Sequence, residues 1–260
     1  MTQATTENSR ARKSEGGILE LVWIVIQALL IAIVVRTFLF QPFNIPSGSL
    51  VPTLLVGDYL FVSKYSYGYS RYSLPLGLPL FSGRIMASEP KRGDIAVFKL
   101  PKDNKTDYIK RVIGLPGDHI SLSNARLYIN GQLVPREPLP PYHTLDAYGH
   151  QVDVPHYKEI LPGGVAHEII QLSGDTGYWS TAPHDAAEYV VPKGHYFMMG
   201  DNRDNSQDSR VLSEVGYVPF ENLEGRAEVI FFSIDENASA WKIWEWPKTV
   251  RWNRIFTRIR

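Results

Sequence analysis

Two short segments far apart in the chain carry side chains that could do chemistry together. Ile45-Pro46-Ser47-Gly48-Ser49-Leu50-Val51-Pro52-Thr53-Leu54 offers two serines on a turn bounded by Pro and Gly. Tyr108-Ile109-Lys110-Arg111-Val112-Ile113-Gly114-Leu115-Pro116-Gly117-Asp118 places one lysine among apolar neighbours. A serine hydroxyl is a weak nucleophile until a base takes its proton, and a lysine can be that base only when neutral. Burial among apolar groups disfavours the ammonium form and brings the pKa toward working pH. Each residue also has a plainer reading. A turn serine is ordinarily structural, and a Lys-Arg pair is ordinarily solvated. A third block, Gly200-Asp201-Asn202-Arg203-Asp204-Asn205-Ser206-Gln207-Asp208-Ser209-Arg210, reads as an acidic loop with calcium binding as a rival. EF-hand spacing fails there: no Glu stands at the twelfth position and no Gly follows the third ligand.

The elements that must hold these residues are short and extended. Asp58–Lys64, Gly93–Lys99, His119–Leu122, Leu127–Ile129, Tyr196–Met199 and Ala227–Phe232 are runs of strand-forming residues. Asn130-Gly131 between two such runs predicts a tight hairpin. No long amphipathic helix pattern occurs between 40 and 240. The fold class is therefore mainly β: an N-terminal transmembrane helix followed by an antiparallel β core with an inserted smaller β subdomain. The core takes 40–123 and 194–240, and 124–193, richer in Pro, His and acidic residues, is the insert. Residues 65–92 read as a long surface loop. Side chains alternate along a strand, so Lys110 faces opposite to Ile109 and Arg111. Arg111 is then expected in solvent while Lys110 turns into the site.

Composition narrows the function classes. The 260 residues are 44% hydrophobic and 21% charged, enough for a real core. A formal charge of +0 gives no bulk attraction to nucleic acid. The absence of cysteine excludes thiol catalysis and disulfides. The seven histidines show neither i,i+4 pairing nor His-Glu-x-x-His spacing, so no metal is expected.

Gly17 to Val35 is an apolar run interrupted by Glu20 and Gln27, close to the roughly 20 residues that cross a bilayer core. A cleaved leader would need a small-residue site after it, but Arg36-Thr37-Phe38-Leu39-Phe40 follows. A buried core helix is the other alternative. The retained anchor is placed at 17–39, behind a disordered cytoplasmic tail over 1–16. Arg10, Arg12 and Lys13 keep that tail inside by the positive-inside rule, against the weaker vote of Arg36. At the other end, 241–260 is a basic amphipathic tail. Trp252, Ile255, Phe256 and Ile259 fall at helical spacing with Arg251, Arg254 and Arg258 opposite. This fits a membrane-surface helix, or else a helix packed on the body.

In order and spacing, Pro46-Ser47-Gly48-Ser49-x-x-Pro52-Thr53-Leu54, Arg92-Gly93-Asp94-Ile95-x-Val97-Phe98, the lysine segment and the 200–210 block resemble the bacterial type I signal peptidases (leader peptidases). The resemblance covers roughly 18–123 and 194–235. It implies Ser49 as nucleophile, Lys110 as general base, and the Ser47 hydroxyl with the Ser49 backbone N–H as an oxyanion hole. Ser206 would hydrogen-bond and orient the lysine amine, with Asp208 and Arg210 paired in support. Ile45, Leu50, Leu54, Tyr108 and Ile109 would shape a shallow S1 pocket, and Phe43, Leu60 and Val97 an S3 pocket, with Pro46 among the substrate-binding residues. Such pockets admit Ala and exclude larger side chains. Leu50 stands where the family usually has Met, which implies a slightly reshaped pocket. The implied partners are preprotein signal peptides, cleaved after Ala-x-Ala, and the phospholipid bilayer. No cofactor, metal or nucleic acid is implied. The implied place is the bacterial plasma membrane, with the catalytic domain on its outer face. A soluble self-cleaving Ser/Lys protease and a catalytically silent, membrane-tethered β-domain that binds extended peptides are the rivals. A mitochondrial inner-membrane peptidase would share the chemistry.

Overall fold

The computed structural model describes residues 16–74, 81–145, 150–171, 188–236, 238 and 241–260. The polar stretch read as a disordered tail lies outside these, apart from Gly16. The apolar run folds as one helix, α1 (Gly16–Phe38). Ile18, Trp23, Leu29 and Ile31 are all exposed on it. A helix apolar all round with no covered face is not a core helix of this domain. It is long and apolar enough to cross a membrane.

Fourteen strands follow among the described residues: β1 (Phe40–Asn44), β2 (Asp58–Ser63), β3 (Ile95–Lys99), β4 (Asp107–Gly114), β5 (His119–Ser123), β6 (Arg126–Ile129), β7 (Gln132–Leu133), β8 (Arg136–Leu145), β9 (Gln151–Leu161), β10 (Val165–Ile170), β11 (Tyr189–Val190), β12 (His195–Met199), β13 (Val218–Pro219) and β14 (Leu223–Ser233). They form three antiparallel sheets. The largest has the order β1-β2-β14-β3-β4-β12-β13, and the smaller two are β11-β5-β6-β7 and β10-β9-β8. Asn130-Gly131 makes the expected hairpin, with both residues at positive φ. β5 belongs to the four-stranded sheet, so the chain leaves the main sheet before His119, whereas the sequence division kept 119–123 in the core. The short β5–β6 turn at Asn124–Ala125 ties these strands together and decides that allegiance.

Two other expectations are corrected. Residues 65–92 are not simply a surface loop: Tyr67, Ser70, Tyr72 and Ser73 are buried, around a 3-10 turn at Arg71–Ser73 capped by Ser70. The C-terminal tail is no amphipathic helix. It combines 3-10 turns at Ile243–Glu245 and Trp252–Arg254 with one α-helical turn at Trp246–Thr249, and bridges Ile234 through Val250 and Val229 through Arg258. Bonds to β14 satisfy the Arg251, Phe256 and Ile259 N–H groups and the Thr257 carbonyl, partners that an isolated short helix in water would lack.

The main sheet is covered on both faces. One cluster gathers Ala96, Phe98, Val112, Met198 and Leu223. Another gathers Ile45, Leu50, Leu54, Leu60, Val97 and Ile230. That second cluster holds the segment carrying both serines.

Candidate active site

Ser49 sits in a 3-10 turn, Gly48–Leu50, just after β1. Leu50 and Leu54, both fully buried, pull the turn onto the sheet. Each such side chain contributes about 1.5–3 kcal/mol on burial. The Leu54 N–H donates to the Leu50 carbonyl at 2.9 Å. The return to β2 is clamped where the Ile45 N–H donates to the Asp58 carbonyl at 2.9 Å and the Gly57 N–H to the Ile45 carbonyl at 3.1 Å. The tail arginines finish the clamp: Arg254 donates to the buried Asp58 carboxylate (2.5 and 3.0 Å) and to the Thr53 carbonyl (3.0 Å). Arg251 donates to the Val56 carbonyl at 2.9 Å. Two arginines assigned to a lipid-facing side thus brace the serine segment.

Lys110 approaches from β4. Its Nζ donates to Ser49 Oγ at 2.5 Å, and the residue is 4% exposed. Ser47 Oγ lies 3.5 Å from Ser49 Oγ, at the limit of a hydrogen bond. Burial brings the Lys110 pKa down to about 8; Asp208 and Asp201 pull it up and Arg210 pulls it down, more weakly. Among the described residues the amine forms no ion pair. A serine hydroxyl against an amine that is partly neutral near neutrality can transfer its proton.

Arg111 overturns the solvent expectation. It does point opposite to Lys110, but it is fully buried. Its guanidinium grips Asp201 at 2.8 and 2.7 Å and donates to the Gly93 carbonyl at 2.8 Å. Alternation predicts a wet side only for a sheet with one open face, and here both are covered. Burial opposes ionisation of Asp201, yet Arg111 outweighs it and holds the carboxyl below its ordinary range. Thr53 Oγ1 also donates to Asp201, at 2.6 Å.

The 200–210 loop carries the serine turn from behind. The Asn202 N–H donates to the Ser49 carbonyl and its Nδ2 to the Gly48 carbonyl, both at 3.1 Å. Asp208 accepts from the Gly200 N–H at 2.9 Å and twice from Arg210 at 2.8 Å. The Asp208–Arg210 pair is thus in place. Burial opposes the Asp208 charge and Arg210 more than restores it. Ser206 departs from its implied role. It is buried in the loop and makes no hydrogen bond to Lys110. Its hydroxyl favours the Asp208 carboxylate from a position outside good hydrogen-bond geometry. A Cβ on Gly200 would lie 2.2 Å from Ser206 Oγ and 2.5 Å from the Ser49 carbonyl oxygen, so only glycine lets the loop approach this closely.

Residues from β9 and β10 complete the cluster, and nothing in their local sequence marks them. Glu159 pairs with both Nη atoms of Arg203. The buried His167 lies 3.4 Å from Glu159 and 3.8 Å from Asp201. Burial first, and Arg111 next, bring His167 down to about 4, so it is neutral at neutral pH. The Ile170 N–H donates to the Asp201 carbonyl at 3.1 Å, and the Arg203 N–H to the Ile170 carbonyl at 2.9 Å. The loop carboxylates of Asp201 and Asp208 are thus committed to arginines. Among the described residues no three His, Asp or Glu side chains gather into a metal-sized site.

The residues assigned to pockets divide. Ile45, Leu50, Leu54, Leu60 and Val97 are fully buried in one cluster, with Phe43 and Ile109 half-buried on it. Tyr108 packs on the opposite cluster, and Pro46 is exposed. Along β4, Asp107–Lys110 pair with β3, whereas β12 pairs only from Arg111 onward. One backbone edge beside Lys110 is therefore left unpaired within the sheet.

The family model for signal peptidase, peptidase S26, matches residues 18–232. The chain belongs to that family. It is 41% identical over 243 residues to Signal peptidase I of Rickettsia typhi, covering 88% of this chain and 89% of that one. To Signal peptidase I of Rickettsia akari it is 39% identical over 252 residues, 91% of each chain. A solved signal peptidase I from Enterococcus faecalis aligns with 54% of this chain and 97% of its own at 24% identity, with a TM-score of 0.30. Within this S26 peptidase, the four blocks that carried the resemblance all lie in the matched span.

Proposed function

We propose that this chain is a membrane-anchored serine endopeptidase that removes N-terminal signal peptides from exported preproteins after an Ala-x-Ala-type site. The observation that carries the reading is the 2.5 Å contact between Ser49 Oγ and a buried amine with a pKa of about 8. Lys110 takes the Ser49 proton as Oγ attacks the scissile carbonyl carbon. The Ser49 N–H and the Ser47 hydroxyl, rotated off Ser49 Oγ, stabilise the developing oxyanion. The Lys110 ammonium then protonates the leaving amine, freeing the mature chain. Neutral again, Lys110 takes a proton from water, whose oxygen attacks the acyl-enzyme; the signal peptide leaves and Ser49 regains its proton.

The unpaired edge at Asp107–Lys110 suits a substrate added as a strand, its alternate side chains facing Ile109 and Phe43. α1 serves as the anchor in the bacterial plasma membrane, its N-terminus cytoplasmic and the sheets on the outer face. From Phe38 to Ser49 the chain reaches at most about 40 Å, which keeps the nucleophile near the bilayer where signal peptides emerge.

The test is cleavage of a preprotein with an Ala-x-Ala junction by wild type and Lys110→Met in detergent, across pH. Wild type is expected to cut at that junction with a rate rising through about pH 8. Lys110→Met should fall by on the order of a thousandfold or more with peptide binding kept. Equal cutting by both would remove Lys110 as base. Binding without cutting by either would leave a peptide-binding export factor.

A further inference from the structure

The membrane-proximal end of α1 is held against the sheets. Tyr69 Oη donates to the Phe38 carbonyl at 2.9 Å, and their rings meet edge-on at 5.6 Å. The Lys64 N–H donates to the Leu39 carbonyl at 3.0 Å. Beside this junction lies a cavity of about 580 Å³ whose wall includes Ile33 of the apolar helix. Its charges are Arg36, Lys64, Lys99 and Lys105 against Asp107 and Glu224.

Those charges do not cancel. Lys99 pairs with both carboxylates, 3.2 Å from Glu224. Burial and the neighbouring Asp107 push Glu224 up to about 7, so it carries only part of a negative charge near neutrality. Arg36, Lys64 and Lys105 form no ion pair among the described residues. Lys64 is almost wholly buried, and its amine reaches only the Ser73 carbonyl, at 2.9 Å. Burial lowers the Lys64 pKa and the nearby Glu224 pulls it back up, so an anion beside the amine would favour its charged form. Thr37, on the last turn of α1, also lines the cavity, and its buried hydroxyl has no hydrogen-bond partner. An unspent donor among unpaired cations calls for an anionic acceptor.

We propose that this cavity binds the phosphate of an anionic phospholipid, with Arg36, Lys64 and Lys105 as counter-charges and Thr37 as hydrogen-bond donor. The apolar wall and the position at the end of α1 favour a headgroup over free phosphate. The assignment rests on α1 being the membrane anchor.

The test uses the full chain in neutral detergent with mixed phosphatidylglycerol and phosphatidylcholine, and counts retained lipid by native mass spectrometry. Wild type is expected to keep one phosphatidylglycerol at least tenfold over phosphatidylcholine. The double variant Arg36→Gln/Lys105→Gln, which changes two exposed residues outside the proposed catalytic machinery, should lose that preference and keep its preprotein cleavage rate. Lys64→Met should lose the preference too; should it fail to fold, the double variant still decides. Displacement of the lipid by millimolar inorganic phosphate would support the anion site and move its source to free phosphate. Resistance to phosphate would support the headgroup. Equal retention of both lipids by wild type, or an unchanged preference in the double variant, would overturn the proposal. Flotation with pure phosphatidylcholine vesicles tests the anchor separately, since it needs α1 and not the cavity.

Discussion

Lys110 and Arg111 are consecutive cations on β4, and the two faces of that strand treat them oppositely. On one face Lys110 meets a serine hydroxyl and the Tyr108 ring, whose centre lies 5.5 Å from Nζ. On the other face Arg111 meets the full charge of Asp201, backed by Thr53 and the Gly93 carbonyl. Both side chains are buried, so burial alone does not separate them. Side-chain chemistry and partner do: an amine against a hydroxyl on one face, a guanidinium against a carboxylate on the other. A buried lysine denied a counter-ion drifts toward its neutral form, whereas a guanidinium gripped bidentately by a carboxylate acts as a structural bolt.

The largest effect should come from breaking the bolt. Arg111→Met leaves Asp201 buried and unpaired and should cost about 3–5 kcal/mol of stability. Arg111→Met/Asp201→Leu should recover much of that loss in denaturant melts. A single variant as stable as wild type would mean that the pair contributes nothing.

Lys110→Met should have the opposite sign. Lowering a lysine from 10.5 to about 8 corresponds to a folding penalty on the order of 3 kcal/mol while the group is charged. The unfolded chain holds the proton between about pH 8 and 10.5 and the folded chain does not, so wild-type stability rises with pH across that window. The methionine variant should melt higher at pH 7 and show no such rise. A lower melting temperature would argue that the site tolerates the ammonium.

His167 tests the supporting cluster on the Arg111 side. With a folded pKa of about 4 against an ordinary 6.5, its contribution is present above pH 6.5 and is lost as pH falls toward 4. His167→Asn should remove up to roughly 3 kcal/mol of that acid-side decline. Identical acid melts in both proteins would place the weak point elsewhere.

Gly200→Ala sharpens the comparison on the Lys110 face. The added methyl must displace the Ser49 carbonyl or Ser206. A shift of a few tenths of an ångström at the nucleophile should lower kcat about tenfold with KM little changed. Unchanged kcat would mean that the turn absorbs the methyl without moving Ser49.

Much of this was legible in the chain. The apolar run of α1 announces itself by length, the strands by β-branched and aromatic runs, and the β6–β7 turn by Asn130-Gly131, because these signals are local. The motif blocks named the two residues that meet at 2.5 Å, although their contact spans a separation of 61 positions. Arg111 was misplaced because alternation states only that neighbours face opposite ways and is silent on whether either way is wet. The tail was misplaced because its apolar spacing fits a helix, while pairing with β14 supplies an alternative that no local pattern reveals.

By itself, then, the sequence determined the apolar helix, several strands of the sheets, the candidate nucleophile and base, and the family to which they belong. Only the tertiary structure decided that Lys110 meets a hydroxyl and Arg111 a carboxylate. The tertiary structure also decided that Glu159 and His167 shore up the loop behind Ser49, and that Arg251 and Arg254 clamp the turn in front of it. The physical reason is common to all of these. A group's charge and rigidity depend on which distant atoms replace its water, and that exchange is settled only when the chain packs.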